Sequence, residues 1–357
     1  MKRIFPILCV GMGLVGFCAT GHADSAAFGD ASAFNLIALN GNIVMGSDVG
    51  GRVAASGTVS GQSYGGNLQN VTIGGSTDPW GALASGYEVV AAGGLVSGGN
   101  YNITVGNVWT TSTVTQLNNS NQWQISGGGI IDMTNNSQKV VTGSAASSPI
   151  NFTSLYNSLS SLSGDLSHLT QSSNVSITSS GGPLVLSTTS KAISTYIFDI
   201  TSAQFATSNG LNIEVPLGST VLINVSGASA SLSGSVSFNG NQESVNSFDS
   251  NGNITGGNND EGKILFNFAG ATTVNVGNEL VGAVLAPNAA FTGSNQMGGT
   301  VIASSIDYNG EVHNVAFTGS LPSVPEGGSA WSFLLMAGLV SVGAFWWRKS
   351  SPVVHAA

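Results

Sequence analysis

Cysteine is nearly absent from this 357-residue chain: Cys9 and Cys18 are the only two, and both lie among the first 23 residues. Past that point there is no thiol to build a disulfide framework, ligate a metal or attack a substrate, so stability must come from burial and hydrogen bonding. Charge is scarce too, at 7% of residues, with 8 basic against 17 acidic side chains. With the termini set aside, only Arg52, Lys139, Lys191 and Lys263 remain as cations of the body. Four scattered cations make no phosphate-tracking patch, which argues against nucleic acid as a partner. Polarity is carried instead by Gly, Ser, Asn and Thr, interleaved with apolar residues too frequent (41%) for a solvated coil.

Long apolar runs occur only at the two ends. Lys2 and Arg3 precede the apolar stretch Ile4 to Ala19, and Gly21-His22-Ala23 follows with small residues at the −3 and −1 positions. That is the plan of a secretory signal peptide over residues 1–23. At the other end, residues 321–329 form a Pro/Gly linker, residues 330–347 an uncharged apolar run, and residues 348–357 a tail opening with Arg348 and Lys349. Eighteen apolar residues suffice to cross a bilayer as a helix, Trp331, Trp346 and Trp347 suit its interfaces, and the basic pair favours a cytoplasmic C-terminus. The chain therefore reads as exported, then anchored at the cell surface or released to the extracellular matrix.

Between the ends, residues 24–320 repeat one pattern: a short alternating or apolar run closed by Gly, Asn or Ser. Examples are Asn35 to Leu39, Tyr87 to Ala92, Tyr101 to Val105, Thr220 to Val225, Ile264 to Phe268 and Thr273 to Val276. Each predicts a strand of four to six residues ended by a turn. Many short strands admit a sandwich, a barrel or a solenoid; the small residues beside the apolar runs, as in Gly282-Ala283-Val284-Leu285-Ala286, favour a right-handed β-helix whose coils stack closely. One segment differs. Over about 149–170, Leu155, Leu159, Leu162, Leu166 and Leu169 recur at three- and four-residue steps, which predicts an amphipathic helix capped by Asn151 or Ser148 and laid over the β body.

Several stretches resemble known families. Ala33 to Asn42, Gly46-Ser47-Asp48-Val49-Gly50-Gly51-Arg52-Val53-Ala54-Ala55-Ser56-Gly57, Val215 to Gly227, Gly282 to Ala289, Gly299 to Ala303 and Gly310 to Asn314 are similar to the choice-of-anchor A domain. That resemblance implies a β-helical adhesive extracellular domain and supplies no catalytic residues. Val324-Pro325-Glu326-Gly327-Gly328, ahead of the apolar run and basic pair, resembles the PEP-CTERM sorting signal, with Gly327 where its commonest form has a second proline. The resemblance implies an exosortase-type processing enzyme as partner. Leu285-Ala286-Pro287-Asn288-Ala289 is also similar to a step of ice-binding-like solenoids.

Some positions have a physical reading of their own. Gly50, Gly51 and Gly57 suit turns with φ > 0, Pro287 suits the end of a strand, and Arg52 suits an ion pair with Asp48 four residues earlier. Gly61-Gln62-Ser63-Tyr64-Gly65 matches the Gly-x-Ser-x-Gly hydrolase pattern, but no helix pattern follows it and His168 and His313 are the only bases of the body. Asp249, Asn251, Asn253, Asp260 and Glu261 offer oxygen ligands at a spacing that suits Ca²⁺, against which the commoner reading is an Asn/Gly turn cluster. No catalytic or cofactor-binding residue stands out.

The expectation is thus a non-enzymatic, adhesive-type surface or matrix protein that binds carbohydrate or another polymer through an extended β face. A structural matrix component without a ligand, or an ice-binding solenoid, is the alternative. Regular Thr rows on one face would favour ice; aromatic residues such as Trp80, Trp109 and Trp123 on one face would favour sugar.

Overall fold

A computed structural model describes residues 25–61, 63–64, 86–103, 106–118, 120–133, 138–179, 181–207, 209–239, 241–242 and 261–322. The alternating runs become strands almost where expected: Leu36–Ala38, Tyr87–Ala91, Asn100–Ile103, Thr220–Ser226, Ile264–Asn267 and Thr273–Val276. Pairing within the main sheet is parallel throughout, with like strands of successive coils in contact. Parallel pairing with side chains stacked coil on coil is the signature of a β-solenoid.

Winding order is the unexpected feature. One side of the solenoid runs Val140–Thr142, Asn107–Thr110, Tyr87–Ala91, Val53–Ala55, Leu36–Ala38, Val301–Tyr308, Ala283–Gly293, Ile264–Asn267, Thr220–Ser226, Thr195–Thr201. The chain enters at the middle, at Leu36–Ala38, and coils outward to Val140–Thr142 at one end. It then crosses to Thr195–Thr201 at the other end and coils back until Val301–Tyr308 closes against Leu36–Ala38.

The predicted helix makes that crossing. It spans Phe152–Ser167, with Asn151 at its N-cap accepting a hydrogen bond from the Ser154 amide and His168 as its C-cap. Sixteen residues extend about 24 Å, or about five strand spacings of about 4.8 Å, so the helix spans the middle of the crossing and the segments on either side complete it. Its buried stripe, Phe152, Leu155, Leu159 and Leu166, packs on outward side chains of this side, among them Ile37, Ala54, Val90, Trp109, Leu285 and Ile302. We call this side the helix face. The helix thereby covers a surface that alternation alone would have turned to water.

Beneath the helix one outward row changes character. From Trp109 through Val90, Ala54, Ile37 and Ile302 to Leu285 it is apolar, and the next three members are Asn267, Asn224 and Asp199. Asn267 Nδ2 donates to Asn224 Oδ1 at 2.9 Å and to the Ser163 carbonyl at 2.9 Å, while its Oδ1 accepts from the Ser163 hydroxyl. Asn224 Nδ2 donates to Asp199 Oδ1 and to the Leu166 carbonyl, each at 3.0 Å. The row turns polar where the helix ends and its last carbonyls need donors.

A second buried polar group gathers the motif segments. Asn35 and Arg52, each just ahead of its strand, and Glu88 on the next strand are fully buried, and Thr300 and His313 lie beside them at 1% and 5% exposure. Asn35 Nδ2 donates to the carbonyls of Gly299 and His313, and Arg52 Nε lies 4.0 Å from Glu88 Oε2. Arg52 therefore pairs with a residue on the next coil, whereas Asp48 stays exposed, which corrects the expected Asp48–Arg52 pair. Residues 48–52 form the turn between Ile43–Met45 and Val53–Ala55, and the pairing of Val53 with Val89 sets Glu88 beside Arg52.

Two other local readings are corrected. Pro287 does not end a strand; it sits within Ala283–Gly293, where the register shifts between Ala286 and Ala290 and the strand turns from one face to the next. Gly50, Gly51 and Gly57 do not take positive φ, and the last two are placed by close approach. They are small because the chain is close: a Cβ on Gly51 would lie 2.8 Å from Asn35 Cβ, and one on Gly57 2.7 Å from the Gly41 carbonyl oxygen.

Among the described residues no helix is long and apolar enough to cross a membrane. The signal-peptide reading (1–23), the sorting motif Val324 to Gly328, the apolar run 330–347 and Arg348 and Lys349 lie outside the described residues.

Candidate functional site

Of the sides that the helix leaves uncovered, the one that continues the strands of the main sheet is the candidate surface. Its strands, in order, are Ser229–Leu232, Thr273–Val276, the second half of Ala283–Gly293, the second half of Val301–Tyr308, Ile43–Met45, Thr58–Ser60 and Gly94–Leu95. Seven parallel strands extend about 29 Å along the axis. Inward, Ala230, Val274, Phe291, Ile306, Ile43, Val59 and Leu95 stack in register and are all buried. Period-two alternation then sets their neighbours outward.

Two outward rows flank that stack. One comprises Ser231, Asn275, Thr292, Asp307, Val44 and Ser60; the other Ser229, Thr273, Ala290 and Ser305. The side chains are short and tied to each other: the Thr273 hydroxyl donates to Ser229 Oγ at 2.9 Å and Asn275 Nδ2 to Thr292 Oγ1 at 2.9 Å. Asn42 continues the surface, its Oδ1 accepting from the Thr58 amide at 2.8 Å. Short hydrogen-bonded side chains lose little rotamer freedom on binding, so this face is pre-ordered for many shallow polar contacts. A shallow groove of about 340 Å³ opens on it between Asn275, Thr292, Ser294, Asp307 and Asn309.

Neither of the compositional signatures expected of ice or sugar is on this face. Thr58, Thr273 and Thr292 are mixed with Ser, Asn, Asp, Ala and Val. Of the tryptophans, Trp109 is buried on the helix face at 3% exposure, Trp123 is partly buried in the antiparallel sheet formed with Ile130–Met133, and Trp80 lies outside the described residues.

The remaining sequence candidates do not converge. Ser63 lies in the strand Ser63–Tyr64. His168 caps the helix, its Nδ1 2.8 Å from the Gly164 carbonyl, and His313 is buried in the strand Val312–His313 rather than in a loop. Burial holds the His313 imidazole below its ordinary pKa against the opposing fields of Glu311 and Glu279. Asp249, Asn251, Asn253 and Asp260 lie outside the described residues, and Glu261 opens the short 3₁₀ turn Glu261–Lys263. Among the described residues no group of three or more His, Cys, Asp or Glu is placed to hold a metal.

The family described as "Putative Ice-binding-like adhesive domain" matches residues 27–314, from the N-terminal turn to the buried His313 strand. The chain belongs to this family. The match covers the whole solenoid, so the buried Asn35–Arg52–Glu88 group and the open face both fall inside this ice-binding-like adhesive domain. No curated protein matches the chain. Solved structures to which it is similar include the ice-binding protein of the Antarctic ascomycete Antarctomyces psychrotrophicus, at 12% identity and a TM-score of 0.35, covering 81% of this chain and 97% of that one. An ice-binding protein from an Antarctic biological consortium matches at 11% and 0.35, covering 80% and 89%. The ice-binding protein LeIBP from an Arctic yeast matches at 13% and 0.35, covering 83% and 96%.

Proposed function

We propose that this is a non-enzymatic, exported protein of the choice-of-anchor A type that adheres to carbohydrate or another surface polymer through the open seven-strand face. The observation that carries the reading is the pair of outward rows of short, mostly polar side chains, with hydrogen bonds between strands at Thr273–Ser229 and Asn275–Thr292, standing over a buried apolar stack. Many weak contacts repeated along a polymer add up through effective concentration, with no deep pocket required. Right-handed winding is the sense that parallel crossovers adopt.

The ends complete the proposal. Residues 1–23 direct export, residues 24–320 form the adhesive domain, residues 321–329 present a variant PEP-CTERM motif to an exosortase-type enzyme, residues 330–347 hold the membrane and residues 348–357 stay cytoplasmic. The protein acts at the cell surface or, once released, in the matrix. Ca²⁺ at Asp249 to Glu261 is no part of this reading, which needs no cofactor.

The test is an array of glycans and matrix polymers probed with residues 24–320, with ice recrystallisation assayed in parallel. Binding to a polymer that is lost in the double variant Asn275→Lys/Thr292→Lys supports the open face. Activity confined to ice would establish the alternative, and failure in both assays would leave a structural matrix component.

A further inference from the structure

We infer that one corner of the solenoid, carrying Ile193 and Leu217, rests on the lipid surface from which the chain emerges. This rests on the reading of residues 330–347 as a membrane span. Ile193 and Leu217 are the two most exposed large apolar side chains among the described residues, at 71% and 53%. They stand far apart in sequence, in the turns that lead into Thr195–Thr201 and Thr220–Ser226, and come together because those strands pair. The Leu217–Gly218 turn packs against Ile193: a Cβ on Gly218 would lie 3.8 Å from Ile193 Cγ2.

The same corner is where the described chain leaves the body. Thr195 Oγ1 donates to the Ser320 carbonyl at 2.9 Å, the Ser320 amide donates to Thr220 Oγ1 at 2.9 Å, and the Thr318 amide donates to the Gly262 carbonyl. Ser320 is thus tied to the two strands whose entry turns carry the apolar pair, and Thr318 to the turn before Ile264–Asn267. Only seven residues, 323–329, separate the last described residue from the apolar run that starts at Ala330. Fully extended they reach at most about 25 Å. A span beginning at Ala330 therefore holds this corner close to the bilayer.

The charge at the corner fits the headgroup layer. Lys191 and Lys263, two of the three body cations that are not fully buried, flank the pair, and Lys263 Nζ donates to the Gly218 carbonyl at 3.2 Å. Acidic residues lie nearby too, Glu214 at the end of the strand Leu211–Glu214 and Glu261 at the start of the turn Glu261–Lys263, so attachment would come from burying Ile193 and Leu217, with Lys191 reaching toward phosphates. Docking here leaves the open face along the side of the solenoid, clear of the membrane.

The exported chain, residues 24–357, has no cysteine, so Ile193→Cys, Leu217→Cys and, on the open face, Ser231→Cys each give one site for a polarity-sensitive fluorophore. Each labelled chain is reconstituted into vesicles of phosphatidylcholine and phosphatidylglycerol carrying nitroxide lipids. Flotation with the vesicles reports the span, and quenching reports the corner. Flotation with quenching at 193 and 217 on the order of twofold above that at 231 supports the inference. Flotation with equal quenching at all three sites overturns the corner and leaves the span standing. Absence of flotation overturns both.

Discussion

Asn267 gives the sharpest test of how the crossing helix is held. At 1% exposure it uses both side-chain ends, donating to Asn224 Oδ1 and the Ser163 carbonyl and accepting from the Ser163 hydroxyl. Leucine is close in size, and Leu285 already occupies the next place in the same row. N267L would therefore fit sterically while leaving the buried Ser163 hydroxyl and Asn224 Oδ1 without this partner. Each buried polar group so orphaned costs about 1–3 kcal/mol, and the added apolar burial returns about 1–2 kcal/mol. With two groups orphaned, the middle of those ranges gives an expected net loss of about 2–3 kcal/mol. Adding Ser163→Ala removes one orphan, so the double variant should be less destabilised than the two single losses combined, by about 1–2 kcal/mol. Urea unfolding followed by circular dichroism measures both, with an unchanged m confirming that only stability moved. A loss under about 0.5 kcal/mol for N267L, or strict additivity with S163A, would refute the argument that the Asn ladder anchors the helix.

Other expectations follow from the same structure. Arg52→Ala and Glu88→Ala should each cost about 3–5 kcal/mol, because either leaves a fully buried charge without its partner, and the double variant should cost clearly less than both together in a denaturant cycle. Leu159→Ala, at a residue 2% exposed between helix and sheet, should cost about 2–4 kcal/mol by the same measurement. Stability should fall on acidification below about pH 6.5 in part through His313. Its folded pKa is lowered by burial, so the unfolded chain binds the proton first and folding weakens as pH drops through that window. His313→Gln should flatten this segment of the stability–pH curve. Asn275→Lys/Thr292→Lys, at exposed or half-exposed positions, should change stability by no more than about 0.5 kcal/mol while abolishing polymer binding.

Local pattern was enough to place strands such as Thr273–Val276, and to place the helix with its Asn151 cap, because periods of 2 and 3.6 are written along contiguous residues. Family resemblance in the segments around Arg52, Thr300 and His313 was likewise visible, though not its meaning. Those segments meet because register stacks their strands, and Asn35, Arg52 and Glu88 form one buried group. Nothing local marks Glu88 as the partner of Arg52, and Asp48 is nearer in sequence. The open face was hidden for the same reason: Ser231, Asn275, Thr292 and Asp307 become one row only when four strands come into register.

What the sequence by itself determined is a Cys-free, charge-poor body of short strands with one amphipathic helix, bounded by two apolar ends. Composition and short-range period carry that information without reference to distant residues. Only the tertiary structure decided that the chain enters at the middle of its own solenoid and that the helix lies on the path from one end to the other. It also decided which outward rows are roofed by that helix and which remain open. Those outcomes depend on pairing between strands up to 265 residues apart, as in Leu36 with Val301. Such pairing is chosen by the packing of whole coils, and no contiguous stretch of sequence records it.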